Sequence, residues 1–279
     1  MIAKFVYTHR VNHGGEHKPA STARIYDYFL GGLHHFPADR AAAEAIIAMH
    51  PITPLVARTN RAFLRRAVTH LTRAGVKQFL DIGSGIPTVG SVHEVVQALI
   101  PDGRVVYVDV DSCTVAQSLE ILEGNGFAEA VRGDVCRPEA ILGHPKVKAF
   151  LDFDRPVGLL LVAVMHFVPD DGEAYEAVEA LRAAMAPGSH LVMTHGLQVP
   201  ADQMRQPDLL ATYDVYRQQT TSQLKLRTRE EFTRFFEGAE LVDPGVVWVP
   251  QWRPADGDPA DFAEDPARCA MLAAVGEIR

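Results

Sequence analysis

The chain has 279 residues, of which 47% are hydrophobic and 22% are charged, and its formal net charge is −8. These values are typical of a globular protein with an ordinary core, and they predict one main α/β domain with or without a lid. The negative charge, with no Lys/Arg-rich block against it, argues against a wide nucleic-acid footprint and favours a small-molecule or protein substrate.

No membrane segment, export signal or cysteine framework is expected. A run of about 18 apolar residues is absent, and the first residues lack the apolar centre and cleavage site of a secretory signal. The protein is therefore predicted to be cytoplasmic. Cys113, Cys136 and Cys269 lie far apart without a C-x-x-C partner, which argues against disulfides and against a zinc site.

Residues 1–20 predict a flexible arm, because glycine and proline interrupt any regular period. His9, His13 and His17 have the spacing of one helix face, which raises the question of a metal site. The glycine pair at 14–15 lies among them and argues against such a helix, so no metal is predicted.

The next segment, residues 21–75, predicts helices. Their starts are indicated by N-cap residues and by proline at the first helical position, and their ends by glycine. The predicted helices run from Ser21 to Gly32, from Pro37 to about His50, and from Pro54 to Gly75.

Residues 76–279 predict a doubly wound α/β domain. Short apolar runs alternate with amphipathic segments, as in parallel strands joined by helices that cover both faces of the sheet. Capping-box patterns at Ser91 and Thr228 mark two helix starts. The candidate strands are QFLDI, RVVYVDV, AEAVRG, VGLLLVAV and SHLVMTH.

Near the C-terminus, AELVDPGVVWVPQW has two β-like runs around Asp243-Pro244-Gly245. This pattern predicts a turn that joins two antiparallel strands. The following PADGDPADFAEDP is rich in proline and acidic residues and predicts a surface loop.

The stretch FLDIGSGIP turns from a predicted strand into a loop with two glycines. In a doubly wound sheet the first such turn faces the ligand, and glycine lets the backbone approach it. The dinucleotide fingerprint G-x-G-x-x-G is incomplete, since Thr88 occupies its third glycine position. Asp81, before Gly83 and Gly85, would repel a pyrophosphate and attract the ammonium of a methionine moiety. The turn therefore favours S-adenosylmethionine over a dinucleotide.

Acidic residues also close the next two predicted strands. Asp109 and Asp111 end VVYVDVD, about 25 residues after the glycines, where a carboxylate binds ribose hydroxyls. Asp134 ends the third strand, and with the Val135 amide it suits the amino group and ring nitrogen of adenine. Three acids at consecutive strand ends are a stronger signal than any one of them.

The motifs DIGSGIP, VVYVDVD and RGDV resemble motifs I, II and III of class I S-adenosylmethionine-dependent methyltransferases. From about Pro19 to Pro254 the chain is also similar to one actinomycete-type family of these enzymes, which was catalogued by sequence without an assigned substrate. The resemblance implies a Rossmann-like doubly wound sheet of seven strands, mostly parallel with an antiparallel last strand. It also implies that residues 21–75 form a helical lid.

The resemblance further implies a role for each motif residue. The lid would place Tyr28 or Gly32 near the methionine end of the cofactor, and Pro87 replaces the third glycine that motif I usually has. The motif residues would contact the cofactor as follows: Asp81, Gly83 and Gly85 the methionine part, Asp109 the ribose, and Asp134 with Val135 the adenine.

Methyl transfer from a sulfonium is an in-line displacement, in which correct placement of the acceptor supplies much of the acceleration. A base is optional, but a neutral histidine suits an acceptor that carries a hydroxyl or an acidic C–H. His166, at the end of the fourth predicted strand, is the leading candidate, and packing beneath the cofactor is its alternative role. His195, after the fifth strand, is the next candidate base, and the prediction favoured for it is a structural role in which the backbone satisfies its ring.

The third predicted helix is rich in arginine. Arg58 and Asn60 are predicted to reach the methionine carboxylate of the cofactor. Arg61, Arg65 and Arg66 are expected on a solvated face.

Two rival functions share parts of this pattern. A nicotinamide-dependent reductase has the same fold and ribose acid, but its short-chain form needs Tyr-x-x-x-Lys, and no tyrosine here has lysine four residues later. A non-catalytic S-adenosylmethionine-binding module would keep the same cofactor residues and stays open. The predicted partner is a small-molecule acceptor, with neither nucleic acid nor membrane, and a homodimer also stays open.

Overall fold

The computed structural model describes residues 20–88, 90–198 and 223–279. The predicted arm, with His9, His13 and His17, lies outside the described residues except for Ala20. Three helices come first, close to their predicted bounds: α1 (Thr22–Phe29), α2 (Pro37–Met49) and α3 (Thr53–Arg73). α1 and α2 form an apolar cluster of their own, which packs on Ala57 of α3.

The rest of the chain alternates strands and helices. The strands are β1 (Gln78–Ile82), β2 (Arg104–Asp109), β3 (Ala128–Arg132), β4 (Gly158–Val162), β5 (His190–Gly196), β6 (Ala239–Leu241), β7 (Val247–Trp248) and β8 (Met271–Ile278). The helices among them are α4 (Val92–Leu99), α5 (Ser112–Ile121), α6 (Pro138–Gly143), α7 (Pro145–Phe150), α8 (Asp171–Ala183) and α9 (Arg229–Arg234).

All the strands form one sheet with the order β3-β2-β1-β4-β5-β8-β6, and β7 also pairs with β8. β1 to β5 are parallel, and β8 is antiparallel to β5. The predicted doubly wound, mostly parallel fold with an antiparallel last strand is thus confirmed, with eight strands in the described part of the chain rather than the seven predicted. Strand order reverses between β1 and β4, which is where such sheets bind ligands.

The predicted pairing near the C-terminus was wrong. The runs on either side of Asp243-Pro244-Gly245 form β6 and β7, but these strands do not pair with each other. Leu241 is in register with Gly276 of β8, and Val247 is in register with Ala273, so β6 and β7 lie one after the other along β8. The run that forms β8 was not among the candidate strands, although an antiparallel last strand was expected. β8 pairs with both β5 and β6 and lies between them in the sheet.

Alternate residues of each strand pack into two separate cores. On β2, Val105 and Tyr107 join the cluster formed with α3 and α4, whereas Val106 and Val108 join the cluster formed with α6, α7 and α8. This alternation explains why the strands are apolar throughout, as in parallel sheets that are covered on both faces. Within the described ranges, no helix combines the length and apolar character that a membrane crossing requires.

Candidate active site

A cavity of about 620 Å³ opens at the carboxyl ends of β1 to β4. Its volume lies within the range of about 300–1,000 Å³ that is usual for small-molecule sites. α1 and α3 form the opposite wall, with Ala23, Tyr26 and Phe29 from α1 among the lining residues. Most of the predicted site residues meet here: Asn60, Asp81, Gly83, Gly85, Asp109, Asp134, Val135 and His166 all line the cavity.

The glycine turn after β1 has a backbone conformation that residues other than glycine rarely adopt. Gly83 has φ +70° and Gly85 has φ +62°. A Cβ atom on Gly83 would lie 2.2 Å from Cγ2 of Val164, so the segment after β4 leaves no room for a side chain there. A Cβ on Gly85 would reach to 3.8 Å from Cβ of Ala23. Both glycines line the cavity without a side chain, as close approach of a ligand to the backbone requires.

Asp109 connects the end of β2 to this turn. Its Oδ2 accepts a hydrogen bond of 3.0 Å from the Gly85 N–H, and its Oδ1 accepts one of 2.9 Å from the Asp111 N–H. Burial raises the pKa of Asp109 to about 6, although these backbone donors stabilise the carboxylate and oppose the shift. Asp109 is thus held in one orientation at the cavity wall.

Asp81 is buried at the end of β1. Desolvation raises its pKa to about 7, and the nearby Arg61 opposes this shift while Asp109 adds to it. A carboxyl group with such a pKa gains from a cationic ligand, which would stabilise its ionised form. Asp81 is therefore suited to the ammonium group of a methionine moiety.

Arg61 also lines the cavity, which contradicts the prediction of a solvated face. Its guanidinium lies 5.7 Å from the ring centroid of Tyr26, and its Nε is buried without a hydrogen-bond partner among the described residues. Arg66 is not solvated either: it is buried and donates to Asp258 and to the Trp252 and Val249 carbonyls. Arg65 is exposed, as predicted.

Asp134 and Val135 follow β3 and line the cavity at its third strand end. Asp134 is exposed, and its Oδ1 accepts a hydrogen bond of 3.0 Å from the Cys136 N–H. Val135 is buried. A carboxylate beside a backbone amide at this position offers an acceptor and a donor to one edge of a planar base.

His166 lies in a short 3₁₀ turn, Met165–Phe167, soon after β4. Its Nδ1 is buried and has no hydrogen-bond partner among the described residues. Desolvation, with smaller contributions from His195 and Arg227, lowers the pKa of His166 well below its ordinary value. The imidazole is thus neutral at physiological pH, and none of the described residues pairs with its Nδ1.

His195 has the structural role that the sequence predicted. Its Nδ1 lies 2.7 Å from the Gly196 carbonyl, which fixes the proton there, and its Nε2 accepts from Nη1 of Arg227 at 3.0 Å. The buried Arg227 also donates to the Met165 and Val168 carbonyls. Arg227 and His195 together hold the turn that carries His166.

Four predicted site residues do not line the cavity. Asp111 caps α5 and binds Arg24, and the Tyr28 hydroxyl lies 3.2 Å from Glu44. Gly32 is required by packing, since a Cβ there would collide with the Asp27 carboxylate at 2.1 Å. Arg58 is exposed. Asn60 does line the cavity, and its Nδ2 donates to the Tyr26 hydroxyl at 3.0 Å.

A family model described as S-adenosyl methyltransferase matches residues 12–279. The chain belongs to this family. Two solved structures, each 38% identical to it, support the assignment. A DUF574 family protein from Streptomyces avermitilis has a TM-score of 0.85 over 94% of this chain and 98% of its own. A candidate methyltransferase from Thermobifida fusca has a TM-score of 0.84 over 94% and 96%.

More distant matches support only the fold. An O-methyltransferase family protein from Burkholderia thailandensis is 14% identical, with a TM-score of 0.50 over 90% of this chain and 63% of its own. Among proteins with curated descriptions, none matches this chain.

The protein is thus an S-adenosylmethionine-dependent methyltransferase, and the cavity fits that cofactor. The glycine turn borders the cavity without side chains, and two buried acids, Asp81 and Asp109, line the same cavity together with Arg61, whose Nε has no partner among the described residues. A cofactor with an ammonium, a carboxylate and ribose hydroxyls has complementary groups for all three residues. This methyltransferase therefore has, in one cavity, partners for both the amino-acid and the nucleoside parts of S-adenosylmethionine.

Proposed function

We propose that this methyltransferase transfers a methyl group to a small-molecule acceptor that loses a proton in the reaction. The observation that carries the proposal is that His166, whose Nδ1 has no hydrogen-bond partner in residues 20–88, 90–198 and 223–279, lines the same cavity as the cofactor-type residues. When bound, S-adenosylmethionine supplies an electrophilic methyl group on a sulfonium. The acceptor would occupy the part of the cavity next to β4 and His166.

We assign the cofactor contacts by the chemistry of the lining residues. Asp109 would bind the ribose hydroxyls, and Asp134 with the Val135 amide would bind the adenine edge. Asp81 would bind the ammonium, with the backbone of the glycine turn beside it. Arg61, rather than the exposed Arg58, would bind the carboxylate, because a guanidinium offers paired donors to it.

In an in-line displacement the protein holds the acceptor and excludes water, and it forms no covalent bond to either substrate. Tyr26 and Phe29 from α1 and Val164 from the segment after β4 supply apolar walls for this purpose. We propose that residues 21–75 act as the lid over the domain of residues 76–279. α1 would then cover the glycine turn when both substrates are bound.

His166 would receive the acceptor's proton. Its lowered pKa keeps the imidazole neutral before the reaction, so that Nδ1 is available as a proton acceptor. Once protonated, the buried imidazolium would be disfavoured by Arg227 and by desolvation, and it would lose the proton readily. Because an imidazole with a low pKa is a weak base, this role suits an acceptor, such as a hydroxyl, whose proton becomes strongly acidic as the methyl group is transferred.

A methyl-transfer assay tests the proposal. S-adenosylmethionine with a labelled methyl group is incubated with phenols, alcohols, amines and carboxylic acids, one class at a time. We expect transfer to a hydroxylated compound, and we expect His166→Asn to lower the rate by about a hundredfold while the cofactor affinity stays unchanged. His195→Asn is the control, because it measures how much the rate falls when the turn Met165–Phe167 is disturbed and His166 is kept. Equal rates in wild type and His166→Asn would overturn the role of His166.

A further inference from the structure

A buried arginine connects the N-terminal helices to the edge of the cofactor cavity. Arg24 of α1 is 2% exposed, and it does not line the cavity. Its Nε donates to Oδ2 of Asp39 at 2.8 Å, and its Nη1 donates to Oδ2 of Asp111 at 2.9 Å. The guanidinium thus binds one carboxylate of α2 and one that directly follows β2.

The α2 side of this connection is itself well anchored. Asp39 is fully buried, and its two oxygens accept backbone N–H groups from Ser21, before α1, and from Phe36, before α2. The Arg24 guanidinium carbon also lies 5.1 Å from the ring centroid of Phe36. Arg24 and Asp39 therefore fix α1 and α2 to each other as one body.

On the side of the sheet, Asp111 is hydrogen-bonded directly to Asp109, the proposed ribose contact. Asp111 donates its backbone N–H to Oδ1 of Asp109, whose Oδ2 accepts the N–H of Gly85. A shift of Asp111 would therefore change the orientation of the Asp109 carboxylate. The side chain of Asp111 is held by Arg24, by Thr114 at 3.3 Å and by the Cys113 N–H at 2.9 Å.

We infer that Arg24 is a positioning residue for cofactor binding, which couples the docking of α1 on the sheet to the orientation of Asp109. This inference rests on the proposed ribose contact of Asp109. The Arg24–Asp111 pair and the Asp111–Asp109 pair belong to one connected set of hydrogen bonds, so removal of one pair is expected to weaken the other. α1 also carries Ala23, Tyr26 and Phe29 to the cavity, so loss of Arg24 would disturb two walls at once.

The test measures the binding of S-adenosylhomocysteine by calorimetry, so that no acceptor is needed. We expect Arg24→Gln to weaken binding by about tenfold or more, since a hydrogen bond to a charged group is lost. Arg24→Lys should restore part of the affinity. Asp111→Asn should weaken binding as well, and the double variant should lose less than the product of the two single losses.

Arg66→Gln is the matched control. Arg66 is also a buried arginine in an ion pair, with Asp258, but it lies away from the cavity lining. We expect its substitution to lower the free energy of unfolding and to leave S-adenosylhomocysteine affinity unchanged. A merely structural role of Arg24 would give the same pattern for Arg24→Gln.

Hydrogen exchange gives a second readout on the chain itself. S-adenosylhomocysteine should slow exchange of the α1 amides in the wild type. The slowing should be much smaller in Arg24→Gln. If Arg24→Gln does not fold, Asp111→Asn takes its place in this measurement. The inference is overturned if folded Arg24 and Asp111 variants bind within about twofold of wild type. If Asp109→Ala also binds S-adenosylhomocysteine normally, the proposed ribose contact fails as well. If Asp109→Ala binds weakly, only the inference about Arg24 fails.

Discussion

Asp109 and Gly85 are joined by a hydrogen bond of 3.0 Å between the carboxylate Oδ2 and the backbone N–H. This bond closes the gap between β2 and the turn after β1, the two neighbouring strands whose ends would carry the ribose and the methionine part of the cofactor. Because the same carboxylate also accepts the Asp111 N–H, its orientation is set before any ligand arrives. Preorganised acceptors of this kind lower the cost of ligand binding.

Asp109→Ala should weaken S-adenosylhomocysteine binding by about tenfold to a hundredfold, because the ribose loses a charged hydrogen-bond partner. Calorimetry measures the change. Asp102→Ala, at an exposed position just before β2, is the control and should bind normally. Unchanged affinity in Asp109→Ala would show that motif II does not contact the ribose.

Cofactor affinity should rise with pH through about pH 7. Asp81 has a pKa of about 7 in the absence of ligand, so it is largely neutral below that pH and ionised above it. Only the ionised form pairs with the ammonium of the methionine moiety, and binding therefore releases a proton near neutrality. Calorimetry from about pH 6 to about pH 8 measures the slope, which should be much smaller in Asp81→Asn. A slope equal to that of the wild type would place the titrating group elsewhere.

Asp81→Asn should also stabilise the protein at pH 8. The folded-state pKa of Asp81 is raised above its ordinary value, so the folded state binds more protons than the unfolded state between the two pKa values. Stability is therefore lost as the pH rises through that window, up to about pH 7. The gain from the substitution is on the order of 4 kcal/mol. Urea unfolding at pH 4 and pH 8 measures it, and a gain of equal size at both pH values would contradict the assigned ionisation.

Arg61→Met should weaken S-adenosylhomocysteine binding by about tenfold or more, through loss of the carboxylate contact. It should leave the binding of 5′-methylthioadenosine unchanged, because that nucleoside has no amino-acid part. Arg58→Met, three residues earlier and exposed, is the matched control and should bind both ligands normally. Equal losses for both ligands in Arg61→Met would point to a structural role for the guanidinium.

Gly83→Ala should lower the free energy of unfolding by about 2 kcal/mol or more, since a methyl group would both strain the backbone and collide with Val164. Gly124→Ala separates the two causes. Gly124 has φ +83°, but a Cβ there would meet nothing within 4 Å, so only the backbone strain remains. Denaturant unfolding should show the larger loss in Gly83→Ala, and similar losses would remove the steric argument.

Much of the site follows from local sequence patterns. A mainly apolar run such as QFLDI predicts β1 with its observed bounds, because a strand that is covered on both faces has buried side chains on both faces. Once β1 to β3 are parallel neighbours, their carboxyl ends must meet at one edge of the sheet. Asp81, Asp109 and Asp134 are therefore brought together by topology alone, as predicted.

Long-range packing decides the features that were missed. Arg58, Arg61 and Arg65 all lie on α3, and only the docking of this helix against α1 and the sheet determines which of them faces the cavity. β8 comes last in the chain but lies between β5 and β6, and no local pattern states such a pairing. Its apolar run MLAAV, of the kind expected for a covered strand, was the available signal.

A crystal structure of the protein with S-adenosylhomocysteine bound tests the proposed site most directly. We predict that the ribose hydroxyls contact Asp109, that the carboxylate of the ligand contacts Arg61, and that the adenine lies beside Asp134 and Val135. A ligand bound outside this cavity, or a ribose without any contact to Asp109, would contradict the proposed cofactor site.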